Sequence, residues 1–441
     1  MRMKAIKGLL LAAALTAGLP STAAIAQDSV FVPLPTYRTG PFGGSGTYIA
    51  NGMRDYLTML NERDGGIGGV RLELEECETG YDTQKVVECY AAMKGRNPVV
   101  FNPWSTGGTL PLIPGAANDK IPILSMAYGL SAAAEGETFP WVFNPPDTYW
   151  DGASAIIAHM AEEDGGAESL RGKKIGYVFL DSGFGREPLA LLDKLAESYG
   201  FELVQYPVPA AQMQNQSSIW LNVRRDQPDW IYLQGWGAMN PTAVREAARI
   251  RYPMDKIVSM WWPSEEDLRQ TGEAATGFKM LNFHAARADF QALDDIRTHV
   301  VEKGLSQVSS PDQVGTNLYN RGVYNSVLIA EGIRKAQEVS GKTVITGADM
   351  RDGLENLDIS QERWAEIGFA DFAQPIKLSC NDHSGHTQLY IQRWNGTAFE
   401  QATEWTDPQT DVVRPLLTQA ATDYVAANQP WPEREEACAT Q

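Results

Sequence analysis

Short apolar runs alternate with longer amphipathic stretches over most of the chain. Apolar runs bounded by turn residues predict buried strands, and apolar residues spaced three and four apart predict helices. Strands are expected at residues 70–76, 99–102, 121–126, 174–180, 202–208, 230–233 and 256–260. Helices are expected between them, at 83–93, 109–117, 148–163, 186–199, 218–225 and 241–250. This alternation predicts an α/β fold with mostly parallel sheets.

The alternation stops after residue 283, where the pattern predicts helices followed by a hairpin. The helices are expected at 290–303, 318–339 and 348–357. Apolar segments on both sides of Asn395-Gly396 predict the hairpin, because this dipeptide favours the tight turn that joins two antiparallel strands.

A glycine-rich segment near the start of the chain indicates a ligand-binding loop. We expect a strand at 31–34, a turn at 40–46 and a helix at 48–63. Glycine lets the backbone approach a ligand closely, and a helix N-terminus attracts small polar groups. The segment lacks the dinucleotide fingerprint and the lysine of a phosphate loop, so it favours ligand capture over nucleotide chemistry. Tyr37 and Arg38 precede the turn and are candidate ligand-binding residues.

The first 26 residues have the pattern of a cleaved signal peptide. Three cations precede an apolar run at 8–19, and Ala24-Ile-Ala26 is a small-residue cleavage site. We therefore expect export to the periplasm; the alternative is a retained anchor. No cysteine lies at the cleavage site, so we expect no lipidation. No later run approaches the length that spans a bilayer, so we expect no membrane insertion.

Charge and length narrow the class of protein further. Without the three cations of the leader, the net charge falls from −18 to −21. This acidity disfavours nucleic acid and anionic membranes as partners, because both reward a basic surface. The 415 residues that remain after the leader are natural for two domains rather than one.

The four cysteines predict two disulfide bonds, since an even number in an exported protein favours pairing. The expected pairs are Cys77–Cys89 and Cys380–Cys438; free buried thiols are the alternative. The segment 380–386 also carries two histidines, so a metal site there is an alternative to a disulfide-held turn. We expect neither a metal nor a cofactor.

Signals of catalysis are missing from the sequence. It contains neither a Gly-x-Ser-x-Gly elbow nor a His-Glu-x-x-His motif. The paired carboxylates Glu75-Glu76 and Glu265-Glu266 stand in charged runs and are expected on solvated faces. We therefore expect a binding protein rather than an enzyme; an exported amidase is the alternative.

Aromatic residues mark the predicted strand ends. Ligands of open parallel sheets bind outside the carboxyl ends of the strands. Indole and phenol faces there suit a stacked ring or a cation held by π faces. The residues in question are Trp104, Tyr128, Trp236, Trp261 and Trp262.

Several short motifs, taken in order, resemble the substrate-binding proteins of ABC importers, in particular the leucine/isoleucine/valine-binding type. The motifs are Thr39-Gly40-Pro41, the glycines of 65–69, Trp104-Ser105-Thr106, 121–125, 181–185 and 228–230. The resemblance implies the type I periplasmic binding protein fold, in which two doubly wound parallel-sheet lobes are joined by a three-crossover hinge. The lobes are then expected at 27–146 plus 284–375 and at 147–283 plus 376–441, the latter with a disulfide-linked tail.

The resemblance also implies roles for single residues. Ser105 matches a serine that contacts the ligand carboxylate, and the backbone of Ala127 matches a group that holds the ligand head. Trp262 falls where the family has an acidic partner for the ligand ammonium, a role that Glu265 or Glu266 could take instead. The other positions that match ligand-facing residues are Gly129, Phe184 and Trp236.

The function implied is that of a periplasmic receptor that delivers a small organic solute to the membrane permease of an ABC importer. The aromatic strand ends favour an aromatic or cyclic carboxylate as the solute. The alternatives are a betaine or an amide as ligand, and a role as the ligand-binding component of a chemoreceptor or sensor kinase.

Overall fold

The computed structural model describes residues 28–432, 434 and 436–438. The predicted signal peptide at 1–26 lies outside the described residues. The strands are β1 Ser29–Thr36, β2 Arg71–Glu78, β3 Ile123–Leu124, β4 Val142–Phe143, β5 Lys174–Leu180, β6 Glu202–Val208, β7 Trp230–Gln234, β8 Ile257–Ser259, β9 Lys279–Asn282, β10 Asp358–Ile359, β11 Ile376–Lys377, β12 Tyr390–Trp394 and β13 Phe399–Gln401.

Fifteen α-helices accompany these strands in the described part of the chain, and none of them combines the length and apolarity needed to cross a bilayer. They are α1 Gly43–Asp64, α2 Thr83–Met93, α3 Thr106–Thr109, α4 Ile113–Asp119, α5 Tyr149–Glu163, α6 Gly183–Arg186, α7 Leu189–Tyr199, α8 Ser217–Asp226, α9 Met239–Arg249, α10 Glu265–Arg269, α11 Gln291–Ile296, α12 Asn317–Ser340, α13 Gly347–Glu355, α14 Gln361–Glu366 and α15 Thr410–Ala427.

The strands from β5 onward, apart from the β10–β11 pair, form one seven-stranded sheet, here called the second sheet. Its order is β13-β12-β9-β8-β7-β5-β6. Strands β5 to β9 pair in parallel, and the hairpin β12–β13 joins them antiparallel. Apolar runs such as Trp230–Gln234 are fully buried, as expected for central strands of a parallel sheet covered on both faces.

The earlier strands form the first sheet. β1 pairs in parallel with β2, and β3 pairs in parallel with β4. The segment 99–101 connects the two pairs: the Val99 amide donates to the Phe31 carbonyl at 3.1 Å, and Phe101 bridges Ile123 in parallel. The predicted α/β class with mostly parallel sheets is confirmed.

The chain passes between the two sheets three times, after β4, after β9 and before β12. These crossover segments are hydrogen-bonded to one another. The Asn144 amide donates to the His383 carbonyl at 2.9 Å, and the Tyr390 hydroxyl donates to the His284 carbonyl at 2.9 Å. The lobe boundaries stated above stay a prediction.

The glycine-rich segment differs from its prediction, because α1 begins at Gly43 and the turn therefore ends four residues early. Glycine is required at position 46 for close packing and not for a turn. A Cβ atom on Gly46 would overlap both the ring and the carbonyl oxygen of Tyr37. Glycine at 46 therefore lets the helix lie directly against the residue that follows β1.

Helix α15 was not predicted, because its sequence contains Pro415 and only a narrow apolar face. That face buries Val413, Leu417 and Ala421. Beyond the helix, the Trp431 indole N–H donates to the Thr138 carbonyl at 2.9 Å. The C-terminal segment is thus packed against residues that precede β4.

Both predicted disulfides are confirmed. Cys77 in β2 is bonded to Cys89 in α2, and Cys380 is bonded to Cys438. The first bond connects a strand to the helix that follows it, and the second attaches the segment beyond α15 to the loop before β12.

Replacing Cys77 and Cys89 by serine should lower the free energy of unfolding by about 3 kcal/mol, because a crosslink between residues 12 apart limits the entropy of the unfolded chain. The corresponding change at Cys380 and Cys438, 58 residues apart, should cost about 4 kcal/mol. Urea unfolding of the oxidised variants, followed by circular dichroism, measures both. A Cys77/Cys89 variant as stable as the wild type would contradict this prediction.

Candidate ligand-binding site

The carboxyl ends of strands from both sheets meet at one cavity. Eight aromatic residues and two hydroxyl residues line it, and most of the aromatic residues closely follow the end of a strand. This is where an open parallel sheet presents a ligand site. The lining residues are Tyr37, Tyr81, Trp104, Ser105, Thr106, Tyr128, Tyr149, Phe184, Trp236 and Trp262.

The lining carries no formal charge. It contains no Asp, Glu, Lys, Arg or His. Burial raises the pKa of all four lining tyrosines above the usual value, so their hydroxyl groups stay protonated at neutral pH. The cavity therefore offers ring faces and neutral hydrogen-bond donors.

Aromatic rings seal the cavity between the two sheets. The Tyr37 ring lies 6.3 Å from the Trp236 ring, edge to face, and Phe42 lies nearly parallel to Trp236 at 6.4 Å. Trp236 in turn packs edge to face on Trp262 at 5.2 Å. Each such pair is worth about 0.5–1.5 kcal/mol beyond the area that it buries. The protein is thus closed around the site.

The cavity is small in this closed arrangement. Its volume is about 10 Å³, which is room for about one water molecule. A molecule larger than water can enter the cavity only when the aromatic rings around it separate.

Two indole N–H groups of the lining have no acceptor among the described residues, those of Trp104 and Trp236. Both residues are only 3% exposed. By contrast, the Trp262 N–H donates to the Tyr149 hydroxyl at 3.1 Å. A buried donor without an acceptor costs about 1–3 kcal/mol. The two free donors therefore favour a ligand with acceptor oxygens.

The backbone around Trp104 is held in a strained form. Trp104 has φ +53°, a left-handed conformation that a large side chain rarely adopts. Its amide donates to the Tyr128 hydroxyl at 2.6 Å, and this hydroxyl donates to the Asn102 side chain at 2.6 Å. These two bonds fix both the Trp104 backbone and the Tyr128 ring at the cavity wall.

Ser105 and Thr106 present hydroxyl groups at the start of α3. The Ser105 hydroxyl accepts from the Gly108 amide at 3.2 Å, as an N-cap does. The Thr106 hydroxyl accepts from the Gly129 amide at 3.2 Å. Both hydroxyl groups also hydrogen-bond a lining tyrosine, Ser105 with Tyr81 and Thr106 with Tyr149, so they belong to the polar part of the lining.

Seven of the ten ligand-binding residues expected from the sequence lie in the lining, and three do not. Arg38 forms a two-point ion pair with Glu76, at 2.8 and 3.1 Å. The Ala127 amide donates to the Pro145 carbonyl at 2.8 Å, and its own carbonyl accepts from the Trp261 indole at 3.2 Å. Gly129 does not line the cavity either, but its amide donates to the hydroxyl of the lining residue Thr106.

The two glutamates considered as partners for an ammonium group are also outside the lining. The Glu265 carboxylate accepts from the Asn317 amide at 2.9 Å, and burial raises its pKa to about 7. The expectation of a solvated face is therefore wrong for Glu265. Glu266 pairs with Arg269 at 3.1 Å.

Glu266 instead lines a separate and larger groove of about 540 Å³, here called the outer groove. Its walls come from residues 41–48 beside the first sheet and 237–270 beside the second. Arg245 and Asp267 lie in the same walls, so the outer groove is charged where the aromatic cavity is neutral.

Three lining residues, Tyr81, Thr106 and Tyr149, were not predicted from the sequence. Tyr81 comes three residues after β2, so the rule that found Trp104 could have found it. Tyr149 begins α5 and is placed by a capping box, in which Thr148 and Asp151 exchange hydrogen bonds. An aromatic residue inside such a box, directly after its N-cap threonine, is the signal that was available.

The segment 380–386 forms a disulfide-held turn. Cys380 is bonded to Cys438, which removes it as a metal ligand. The His383 ring bonds the Val142 carbonyl at 2.8 Å, and the His386 ring bonds Asp151 at 2.8 Å. The histidines of this segment therefore bond protein groups of the crossover region.

A family model described as periplasmic binding protein matches residues 29–399. The chain belongs to the periplasmic binding protein family. The predicted type I fold of this family is confirmed by the two parallel sheets and three crossovers. No curated protein matches the chain.

Solved structures resemble the chain over most of its length. A protein described as an ABC transporter permease from the Pseudomonas fluorescens group is 36% identical, covering 93% of this chain and 100% of its own, with a TM-score of 0.85. A branched-chain amino acid ABC transporter protein from Thermus thermophilus with bound valine is 20% identical, covering 88% and 99%, with a TM-score of 0.74. A solute-binding protein from R. palustris in complex with benzoate is 15% identical, covering 86% and 97%, with a TM-score of 0.66. The last two show a shared fold only.

A half-buried glutamate, Glu187, connects residues beside the two sheets through its carboxylate. The Ser131 amide, beside the first sheet, donates to the Glu187 carboxylate, which follows β5, at 2.8 Å. The second carboxylate oxygen of Glu187 is shut off from solvent and has no partner among the described residues. Burial raises the pKa of Glu187 to about 7.

Glu187 should make the protein less stable as the pH rises from about 4.5 to 7, because the folded state then holds a proton that the unfolded chain releases. Glu187→Gln keeps the acceptor for Ser131 and removes the charge. It should therefore gain about 3 kcal/mol over the wild type between pH 4.5 and pH 8, because each unit of pKa shift is worth about 1.4 kcal/mol. Calorimetric melting at both pH values measures the gain; a stability difference that does not change with pH would contradict it.

Proposed function

We propose that the protein is the solute-binding receptor of an ABC importer, and that it delivers a small organic solute to a membrane permease. Membership of the periplasmic binding protein family supports this role, since the family consists of solute-binding proteins rather than enzymes. Several structural relatives are described as parts of ABC transporters. With the predicted signal peptide, the site of action is the periplasm.

The proposed solute is a small aromatic or cyclic carboxylate. One observation carries this proposal: the cavity combines eight aromatic walls with two buried indole donors that lack an acceptor. A ring would stack on the aromatic faces, and a carboxylate would accept from Trp104, Trp236 and the Ser105 hydroxyl. The benzoate held by a protein of the same fold is in keeping with this class.

A branched-chain amino acid, the ligand type of the family resemblance, suits the cavity less well. Its α-ammonium group would be buried beside Trp262, and the lining contains no carboxylate to pair with it. An unpaired buried charge is strongly unfavourable. A carboxylate without an ammonium group avoids this cost.

A betaine or an amide is the second candidate, because aromatic faces also attract cations and polar π systems. The free indole donors disfavour only a cation that has no acceptor, because the carboxylate of a betaine and the oxygen of an amide can both accept from them. A role in signalling to a chemoreceptor or kinase would use the same site; finding a permease gene next to this gene would favour import.

In the proposed binding sequence, the protein opens at the crossovers, takes up the solute and closes again. Rotation of the two sheets about the three crossovers opens the cavity, and the solute enters between the aromatic rings. Closure then buries the solute and presents one joined surface to the permease. The solute shifts the equilibrium toward the closed form by as much as it prefers that form.

Trp104→Phe and Trp236→Phe test the proposed contacts, because phenylalanine keeps a ring face and removes the N–H donor. Each variant should bind benzoate about tenfold or more weakly in isothermal titration calorimetry, the value of a hydrogen bond to a charged group. Binding of choline, whose quaternary ammonium group accepts no hydrogen bond and which lacks a charged acceptor, should fall much less.

Trp394→Phe is the matched control, since the Trp394 indole N–H is also buried without an acceptor among the described residues but lies in β12, outside the lining. It should bind benzoate like the wild type. Choline binding without benzoate binding, or unchanged benzoate affinity in both cavity variants, would contradict the proposed ligand class.

A further inference from the structure

A fully buried arginine lies behind the cavity without a carboxylate partner. Arg321, in the first half of α12, has no accessible surface. No ion pair joins it to any aspartate or glutamate in the part of the chain that the structure describes, although most of the other arginines there have one. Buried charges in proteins are normally paired.

The hydrogen-bond partners of Arg321 are neutral. Its Nε donates to His284 Nε2 at 2.7 Å, and its Nη2 donates to the Asn282 side chain at 2.7 Å. Burial lowers the pKa of His284 well below its usual value, so this imidazole is uncharged and accepts the bond. The third nitrogen, Nη1, has no partner among the described residues. The positive charge is thus solvated but not neutralised.

Burial lowers the pKa of Arg321 to about 9, so the guanidinium remains charged at neutral pH. Its central carbon lies 4.1 Å from the centre of the Phe283 ring and 5.3 Å from the centre of the Trp262 ring. Trp262 lines the cavity and donates to Tyr149, another lining residue. One aromatic ring therefore separates the charge from the solute site.

We infer that Arg321 selects anionic solutes: its buried, unneutralised charge makes the aromatic cavity favour a carboxylate over neutral or cationic molecules of the same shape. This inference rests on the proposed receptor function and assigns its charge selectivity to a residue that does not line the cavity. Screening is weak in a closed, dry site, so a charge one ring away still acts on the solute.

The absence of acidic residues from the lining fits this assignment. A carboxylate in the wall would neutralise Arg321 and remove the need for an anionic solute. In the closed protein the counter-charge instead arrives with the ligand. The same charge repels a choline-like cation, which the aromatic faces alone would attract.

The test compares carboxylic acids with their amides, because an acid and its amide share shape and differ in charge. The probes are benzoate and benzamide, cyclohexanecarboxylate and its amide, and isovalerate and its amide, titrated calorimetrically into the folded protein. The wild type should prefer the acids, and Arg321→Gln should lose about tenfold or more of this preference. Arg321→Lys, which keeps the charge, should retain most of it.

Arg334→Gln is the matched control, because Arg334 lies on the same helix but pairs with Glu331 at 2.9 Å. It should keep the wild-type preference. A purely structural role for Arg321 would weaken acids and amides alike and leave their ratio unchanged. Should Arg321→Gln not fold, Arg321→Met, which keeps an apolar stem of similar length, carries the same prediction.

An unchanged acid-to-amide ratio in the neutral variants would overturn the inference, as would a wild type that binds amides as tightly as acids or binds no acid. Equal binding of benzoate and benzamide would leave the receptor function standing. Binding of the isovalerate pair alone would instead reject the ring-shaped solute, and the selectivity of Arg321 would be judged on that pair.

Discussion

The packing of aromatic rings from one sheet against those from the other is the interaction on which this site depends. Tyr37 and Phe42 beside the first sheet meet Trp236 beside the second. These contacts exclude water. Without water, nearby hydrogen bonds and charge interactions are stronger, and unpaired polar groups are more unfavourable. The three crossovers allow the same rings to part. In a receptor of the proposed kind, these ring contacts would seal the site when the protein is closed and would separate when it opens.

Closure without a solute leaves several groups unsatisfied. The indole N–H groups of Trp104 and Trp236 lack acceptors among the described residues, and Arg321 lacks a counter-charge. In a core that binds no ligand, such buried unpaired groups would only lower the stability of the folded state. In the receptor proposed above they are the groups that the proposed solute would satisfy, a small molecule with acceptor oxygens, a negative charge and a ring. The proposed ligand class is therefore argued from the buried donors and the buried charge that the described residues leave unpaired.

The fold could be predicted well where local signals were strong. The apolar run of β5 was predicted with its observed bounds, because a strand buried on both faces has an unbroken apolar sequence. Helix α15 was missed because tertiary packing, rather than a broad apolar face, stabilises it. The role of Gly46 was misread, since glycine that permits close packing and glycine that forms a turn look alike in sequence.

The site was only partly predictable. Strand-end position identified Trp104, Trp236 and Trp262, because parallel topology brings such residues together. Arg38 was predicted to bind the ligand, but in the structure it pairs with Glu76 and does not line the cavity. This pairing could not be foreseen, because the two residues are far apart in sequence. Arg321 gave no signal at all: an arginine within a helix looks like a surface residue until its burial is known.

The most direct test of the central claim is a thermal-shift measurement on the purified protein with aromatic carboxylates, branched-chain amino acids, betaines and amides in parallel. A ligand that binds the folded state raises the melting temperature once its concentration exceeds its dissociation constant. The account predicts a rise with aromatic or cyclic carboxylates and little or none with leucine or valine. A rise with leucine or valine alone would contradict it.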